Sequence, residues 1–128
     1  MESSFVIKAL GALAQETRLA IFRLLVEHGS AGLPVGRIGD ILGLKPATLS
    51  FHLKELARAH LIMSRPDSRY IYYRTDFGAI NEVIAYLTEN CCSVAAAGDA
   101  SCMSLDRAEP SGVLPSGKPT IHPKWRFA

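Results

Sequence analysis

The stretch that decides the fold reads PATLSFHLKELAR and covers residues 46–58. Pro46 suits the first turn of a helix, because that turn leaves its N–H groups without helical partners anyway. Apolar side chains then recur at about 100° per residue, which predicts a helix with one buried side that continues to about His60. The predicted buried side consists of Leu49, Leu53, Leu56 and His60.

The opposite side of this helix is polar and basic, yet it includes a phenylalanine. Its members are Ala47, Phe51, Lys54 and Arg58, flanked by Thr48 and Ser50. A phenylalanine is out of place on a face that meets only water, but in a DNA major groove it can contact a thymine methyl group. The alternative is that a neighbouring helix or loop covers Phe51. The two cations are then phosphate ligands or simply solvated charges.

Three further helices are predicted upstream of this stretch. Apolar spacing places the first over about residues 4–13 and the second over about residues 16–28. Pro34 suits the first turn of the third, and Gly43 stops it. A two-residue turn then leads into the helix at Pro46, so the third and fourth helices have the arrangement of a helix-turn-helix.

A basic hairpin is predicted downstream. Two β-prone runs, residues 61–65 and 69–74, flank Pro66-Asp67-Ser68, which is a strong turn signal. Three arginines lie near its tip and edges: Arg65, Arg69 and Arg74. A basic hairpin beside a helix-turn-helix has the arrangement of a wing that grips the DNA backbone or reaches into the minor groove.

A last helix is predicted from the N-cap residue Asp76 to about Cys91. Its apolar face has the width of a packing seam, which we expect to pack against the same helix of a second subunit together with the first helix. Beyond Ser93 the chain is small, polar and rich in proline and glycine, which is typical of a mobile tail. The seam comprises Phe77, Ile80, Ile84, Leu87 and Cys91, with Val83 beside them.

These elements predict a mainly α fold with a β-hairpin wing, in the order ααααββα, that dimerises through its first and last helices. Residues 1–92 form the DNA-binding and dimerisation domain, and residues 93–128 form a flexible tail that carries Cys102. A helical domain of this size has little core to spare and often completes it by dimerising.

Charge is distributed unevenly along the chain, although the net charge is only +2. Residues 37–74 contain seven basic and three acidic side chains, whereas residues 75–106 contain five acidic side chains and no lysine or arginine. A basic middle beside an acidic end points to a polyanion-binding face. His52 either lies near the phosphate backbone or is a hydrogen-bonded helix residue. The predicted DNA-binding set is Lys45, Ala47, Thr48, Ser50, Phe51, His52, Lys54, Arg58, Arg65, Arg69 and Arg74.

The sequence argues for a cytosolic protein and against an enzyme. No apolar run approaches the ~18 residues that span a bilayer. Glu2 and Lys8 are unlike a secretory signal, so we expect a cytoplasmic protein with reduced thiols. The four histidines show no catalytic spacing, and neither a glycine-rich phosphate loop nor an HExxH motif occurs.

The sequence resembles the ArsR/SmtB family of winged-helix, metal-sensing bacterial repressors over roughly residues 5–92. The resemblance rests on TRLAI at residues 17–21, on LSFHLKEL at residues 49–56, and on RYIYYR at residues 69–74. It implies a dimer that binds imperfect palindromes near promoters and releases them when its effector binds.

The resemblance also locates the effector site, because two usual sites are missing. Arsenic sensors of the founding type place two cysteines in the third helix, at positions occupied here by Pro34 and Gly36. Zinc sites on the last helix of other members use Asp and His, but this helix offers Asp76 and Glu82 without a histidine. The chain is similar to members whose arsenic site lies at the C-terminal end of the last helix, which implies that Cys91, Cys92 and Cys102 bind the effector.

Three thiols suit trivalent arsenic. As(III) takes three sulfurs in a pyramid and exchanges three hydroxyls for three thiols without a change in net charge, so it needs no cationic pocket. Sb(III) should bind for the same reason, and a trivalent organoarsenical would need only two of the thiols. Zinc would require a fourth ligand, for which His122 is the remote candidate.

Other readings of the cysteines stay open. Pb(II) or Cd(II) would bind as thiolate complexes and release protons. The cysteines could instead sense redox state or reactive sulfur, or be inert small hydrophobes.

Overall fold

The structure is a computed structural model, and it describes residues 2–94 of the chain. Cys102 and the rest of the predicted tail lie outside the described residues. The described part contains five α-helices: α1 (Ser3–Leu13), α2 (Glu16–Glu27), α3 (Val35–Leu42), α4 (Pro46–Arg58) and α5 (Phe77–Thr88). The mainly α, winged helix-turn-helix fold predicted from the sequence is therefore confirmed.

The sheet has one strand more than predicted. Its strands are β1 (Leu33–Pro34), β2 (Ile62–Asp67) and β3 (Tyr70–Thr75), all antiparallel, in the order β1-β3-β2. Pro66 is tolerated within β2 because β2 is an edge strand, where a missing N–H costs no ladder hydrogen bond. Asp67 pairs with Tyr70, so the turn lies at residues 68–69 and not at residues 66–68.

The core lies where α4 and the sheet meet the first two helices. Fully buried apolar side chains from α2, α3, α4 and the start of the hairpin fill it: Ile21, Leu25, Ile38, Leu56, Leu61 and Ile62. The predicted leucine stripe of α4 is confirmed, since Leu49 and Leu53 are each 2% exposed and Leu56 is fully buried. This stripe fixes which side of α4 faces outward.

The prediction that His60 belongs to this buried stripe is wrong. α4 ends at Arg58, and His60 has a left-handed φ of 59° and is exposed. The N–H of His60 donates to the carbonyl of Ala57, and the N–H of Leu61 donates to that of Leu56, which is a Schellman motif. Leu61 thus takes the buried place, and the His60 ring stacks on Phe5 with centroids 6.1 Å apart.

The last helix begins as predicted and ends early. The Asp76 carboxylate accepts a hydrogen bond from the N–H of Ala79 at 3.2 Å, which confirms the N-cap. The helix stops at Thr88, however, so the prediction that it reaches Cys91 is wrong. Asn90 and Cys92 both have left-handed φ values, near 60°, which an α-helix does not allow.

No helix within residues 2–94 is long and apolar enough to cross a bilayer.

Candidate nucleic-acid interface and thiol site

The outward side of α4 is open to solvent. Phe51 is 57% exposed, and Ala47, Lys54 and Arg58 are exposed around it. Within residues 2–94 no neighbouring element covers the Phe51 ring, which argues against the alternative that the chain buries it. This face offers apolar, hydroxyl and cationic groups together, the types that contact thymine methyl groups, base edges and phosphates.

The end of α3 and the start of α4 approach each other closely. Gly43 adopts a left-handed φ of 66° after α3, and the N–H of Leu44 donates to the carbonyl of Gly39 at 3.0 Å. A Cβ on Gly39 would lie 3.3 Å from the Leu44 carbonyl oxygen and 3.4 Å from the Leu49 side chain. Two glycines therefore let α3 turn tightly into α4, which is the helix-turn-helix geometry.

His52 differs from the rest of the predicted DNA-binding set because it is buried, with 9% of its surface exposed. Its Nδ1 atom lies 3.4 Å from the guanidinium Nη1 of Arg18 at the start of α2. Arg18 also donates from Nε to the carbonyl of Ala12, at 2.7 Å, in the last turn of α1. Sequence reasoning gave Arg18 no role, although a cation at the head of an apolar helix was a signal.

The three predicted wing arginines occupy unlike environments. Arg69 is exposed in the turn of the hairpin. Arg65 lies over the Tyr72 ring, 4.7 Å from its centroid, and pairs with Asp67 at 3.1 Å. Arg74 is half-buried at the base of the hairpin, where burial lowers its pKa and Asp76 partly opposes that shift. The wing therefore presents one arginine at its tip and holds two others against its own side chains.

Exposed apolar side chains lie on α5 and α1. Ile84 and Leu87 on α5 are 52% and 57% exposed, and Ile7 on α1 is 68% exposed. Val83, which we expected beside the seam, is instead buried in the core at 1% exposure. Part of the predicted seam is thus uncovered on the described chain, namely Phe77, Ile84 and Leu87, whereas Ile80 packs against the core.

The two described cysteines lie together beyond the end of α5. Their Sγ atoms are 3.3 Å apart; Cys91 is an exposed free thiol, and Cys92 is disulfide-bonded. Within residues 2–94 no three His, Cys, Asp or Glu side chains converge in a way that could hold a metal ion. The described residues therefore supply two sulfurs of the predicted three, and Cys102 lies outside them.

Comparison with known proteins identifies the class of this molecule. A family model for a helix-turn-helix domain matches residues 13–65. The HTH-type transcriptional regulator YgaV of Escherichia coli (strain K12) is 34% identical over 83 residues, which cover 65% of this chain and 82% of YgaV. The chain belongs to the HTH-type transcriptional regulators.

Two further similarities concern a relative and solved structures. The regulator is 32% identical over 80 residues to the nodulation protein NolR of Rhizobium meliloti, a match that covers 62% of the regulator and 63% of NolR. The regulator thus spans less than two thirds of NolR. HlyU from Vibrio cholerae N16961 superposes with a TM-score of 0.58 at 29% identity, and the match covers 72% of the regulator and 99% of HlyU. Reduced HlyU from the same source superposes with a TM-score of 0.55 at 27% identity, and that match covers 70% of the regulator and 92% of HlyU.

An ArsR-like transcriptional regulator from Rhodococcus sp. RHA1 shares the fold, with a TM-score of 0.61 at 22% identity over 84% of the regulator and 95% of that chain. YgaV and the Rhodococcus protein are both described as transcriptional regulators. A helix-turn-helix regulator binds DNA. Apart from His52, the residues of α4 that are predicted to contact DNA all lie on its exposed face, the predicted recognition surface.

Proposed function

We propose that this regulator is an arsenic-responsive transcriptional repressor. As a dimer it binds a palindromic operator, and it leaves the operator when As(III) or Sb(III) binds Cys91, Cys92 and Cys102. The observation that carries the proposal is the pair of sulfur atoms 3.3 Å apart at the exposed end of α5. Once the disulfide at Cys92 is reduced, two adjacent thiols at that separation can bind one thiophilic atom together.

The surroundings of the thiols favour a neutral reactant. Residues 75–106 contain no lysine or arginine, so this segment offers no cationic side chain to pair with a thiolate. As(OH)₃ is uncharged and exchanges hydroxyls for thiols, one water leaving for each bond formed. A divalent cation would have to displace thiol protons in the same place. Binding of any of these effectors requires the disulfide at Cys92 to be reduced first.

The site lies where it can act on the dimer. The thiols follow α5, whose exposed stripe, including Ile84 and Leu87, we assign to the contact between subunits. A two-fold axis there would set two α4 helices for successive major grooves, ~34–36 Å apart. Effector binding that draws residues 93–101 toward the end of α5 would disturb this contact. Coupling of ~1–3 kcal/mol is the usual scale for such regulation.

The test starts without a known operator. The full-length protein, kept reduced with a phosphine because dithiols compete for arsenite, selects duplexes from a random pool. We expect a palindromic duplex whose affinity falls steeply with salt. Fluorescence anisotropy then follows its release against arsenite, antimonite, methylarsenite, cadmium, lead and zinc. Release by arsenite and antimonite at lower concentrations than by the divalent ions is the expected result.

Cysteine variants separate the versions of the site. Cys91→Ser and Cys92→Ser should abolish the arsenite response while DNA affinity is retained, and Ser93→Ala serves as the matched control. If Cys102→Ser released DNA at the same arsenite concentration as the parent, the three-thiol site would be wrong and a two-thiol site would remain. Release by cadmium or lead alone would replace the arsenic assignment.

A second candidate function is redox or reactive-sulfur sensing, and the disulfide at Cys92 is the observation that favours it. The free thiol of Cys91 lies beside that sulfur, so exchange between them is geometrically open. In this case oxidant or polysulfide would change DNA affinity without arsenic, and dithiothreitol would reverse the change. The same anisotropy assay distinguishes the two candidates.

A further inference from the structure

We propose that His52 is a positioning residue of the recognition helix: as a neutral imidazole it accepts a hydrogen bond from Arg18 and so fixes α4 against α1 and α2. The inference rests on the proposed operator binding and deepens it. It assigns to His52 a role different from the phosphate contact predicted from the sequence.

Burial separates His52 from the surface that meets DNA. It is 9% exposed, whereas Phe51, the next residue along the same helix, is 57% exposed. The two rings touch edge to face, with centroids 5.3 Å apart. His52 therefore lies underneath the recognition surface, where it can support Phe51 but offers little surface to a phosphate.

The chemistry of the hydrogen bond fixes the protonation state. Nη1 of Arg18 lies 3.4 Å from Nδ1 of His52, and a guanidinium can only donate. Nδ1 must therefore be the acceptor, which requires a neutral ring with its proton on Nε2. A protonated imidazole has donors at both nitrogens and cannot accept this bond.

Arg18 carries the link across three helices. Its Nε donates to the carbonyl of Ala12 at 2.7 Å, and its backbone N–H donates to the capping side chain of Gln15 at 2.8 Å. The guanidinium thus joins the last turn of α1 to the middle of α4. Since α1 belongs to the proposed dimer contact, this bridge sets the recognition helix relative to that contact.

The Arg18 end of this bridge lines a cleft whose charged groups are mostly positive. Lys8 of α1, Arg18 of α2, and Glu55 and Arg58 of α4 line one cleft. Glu55, the one carboxylate in it, is already paired with Arg58 at 3.1 Å. Protonation of His52 would remove the acceptor and add a further cation beside Arg18, so it would loosen the attachment of α4.

Positioning and phosphate contact predict opposite responses to pH. If His52 positions α4, acidification weakens its contribution to DNA binding. If His52 contacts a phosphate, acidification strengthens that contribution and adds about 0.9 to the dependence of log affinity on log salt.

The experiment uses full-length protein, the duplex selected above, and the variants His52→Asn and His52→Phe. Asparagine keeps an acceptor near the position of Nδ1 but does not titrate, whereas phenylalanine keeps the volume and has no acceptor. We expect H52F to bind about fivefold to tenfold more weakly near pH 8, the effect of one lost hydrogen bond, and H52N to restore binding. The affinity of the parent relative to H52N should fall on acidification, with an unchanged salt slope.

His28→Asn is the matched control, because His28 is exposed at the far end of α2 and should keep the pH profile of the parent. Equal pH profiles for the parent and H52N would overturn the proposal. A parent affinity that rises on acidification relative to H52N, with a steeper salt slope, would also overturn it and return His52 to the phosphate backbone. If H52F does not fold, the pH profile of H52N still tests the positioning role of His52. Failure to select any duplex would instead refute the proposed operator binding.

Discussion

α4 and α5 both expose large apolar side chains, but their electrostatic surroundings are opposite. On α4, Phe51 shares the exposed face with the cations Lys54 and Arg58. On α5, Ile84 and Leu87 are exposed in a segment without lysine or arginine. An apolar group among cations suits a polyanion that has methyl groups in its groove, whereas an apolar stripe without cations suits another apolar stripe.

The two helices also differ in how they are anchored. Three leucines of α4 are buried to 2% exposure or less, while α5 buries chiefly Ala79 and Val83. α4 is therefore held by its own chain, and α5 leaves much of its apolar surface for a partner. We therefore expect the exposed face of α4 to contact DNA and the exposed stripe of α5 to contact a second subunit.

The largest expected effect concerns the anchoring of α4. Leu56→Ala should lower the free energy of unfolding by ~2–5 kcal/mol, because it opens a cavity at a fully buried site. Urea denaturation measures the change. Phe51→Ala, on the opposite side of the same helix, is the control and should alter the free energy of unfolding by less than ~0.5 kcal/mol. Equal losses would mean that the two sides of α4 are not distinct.

The next effect concerns the stripe on α5. Leu87→Glu should weaken dimerisation about a hundredfold, because each subunit loses an apolar contact of ~1.5 kcal/mol or more and the two-fold axis doubles the loss. Sedimentation equilibrium measures the association. Phe51→Glu introduces the same charge on α4 at the same 57% exposure and should leave the association unchanged. A stable dimer of the Leu87 variant would remove α5 from the interface.

A smaller effect is expected within the basic segment, residues 37–74. Arg69→Ala should lower the salt slope of DNA binding by about 1, because the exposed tip of the wing would lose one phosphate or minor-groove contact. Arg65→Ala should change it less, since Tyr72 and Asp67 already engage that guanidinium. Anisotropy titrations at several salt concentrations measure the slopes. Glu82→Gln, in the acidic segment of residues 75–106, should not lower the salt slope. A lower salt slope for this variant would contradict the assignment of DNA binding to the basic segment.

The smallest expected effect concerns the pKa of Tyr73 in β3, one of the two strands between α4 and α5. Burial raises the pKa of Tyr73 above its ordinary value of 10.0, so the folded chain keeps this proton at a pH where the unfolded chain loses it. The free energy of unfolding should therefore fall as pH rises through and above about 10, and Tyr73→Phe should lessen that fall. Urea denaturation at about pH 9 and 10.5 tests it. Tyr70→Phe, at a 61% exposed position, should keep the alkaline fall of the parent.

Local patterns in the sequence predicted most of the elements but not all of their ends. The leucine stripe, the capping carboxylate of Asp76 and the stop at Gly43 depend on neighbours within a few residues, so spacing and residue type suffice to identify them. Spacing alone extends the stripe to His60, but the Schellman motif ends the helix before that residue. Cys91 was placed in α5 because its spacing fits the stripe, although the helix stops at Thr88.

The helical periods, the basic and acidic segments and the three cysteines can be read from the sequence alone, since each is a property of composition or of short-range order. Only the tertiary structure decided that Leu33 and Pro34 add a strand to the hairpin, because their partners Tyr73 and Tyr72 lie about 40 residues away in sequence. It also decided that His52 points inward to Arg18, 34 residues earlier. Contacts between distant residues depend on how whole elements pack, and periodicity along one element does not encode them.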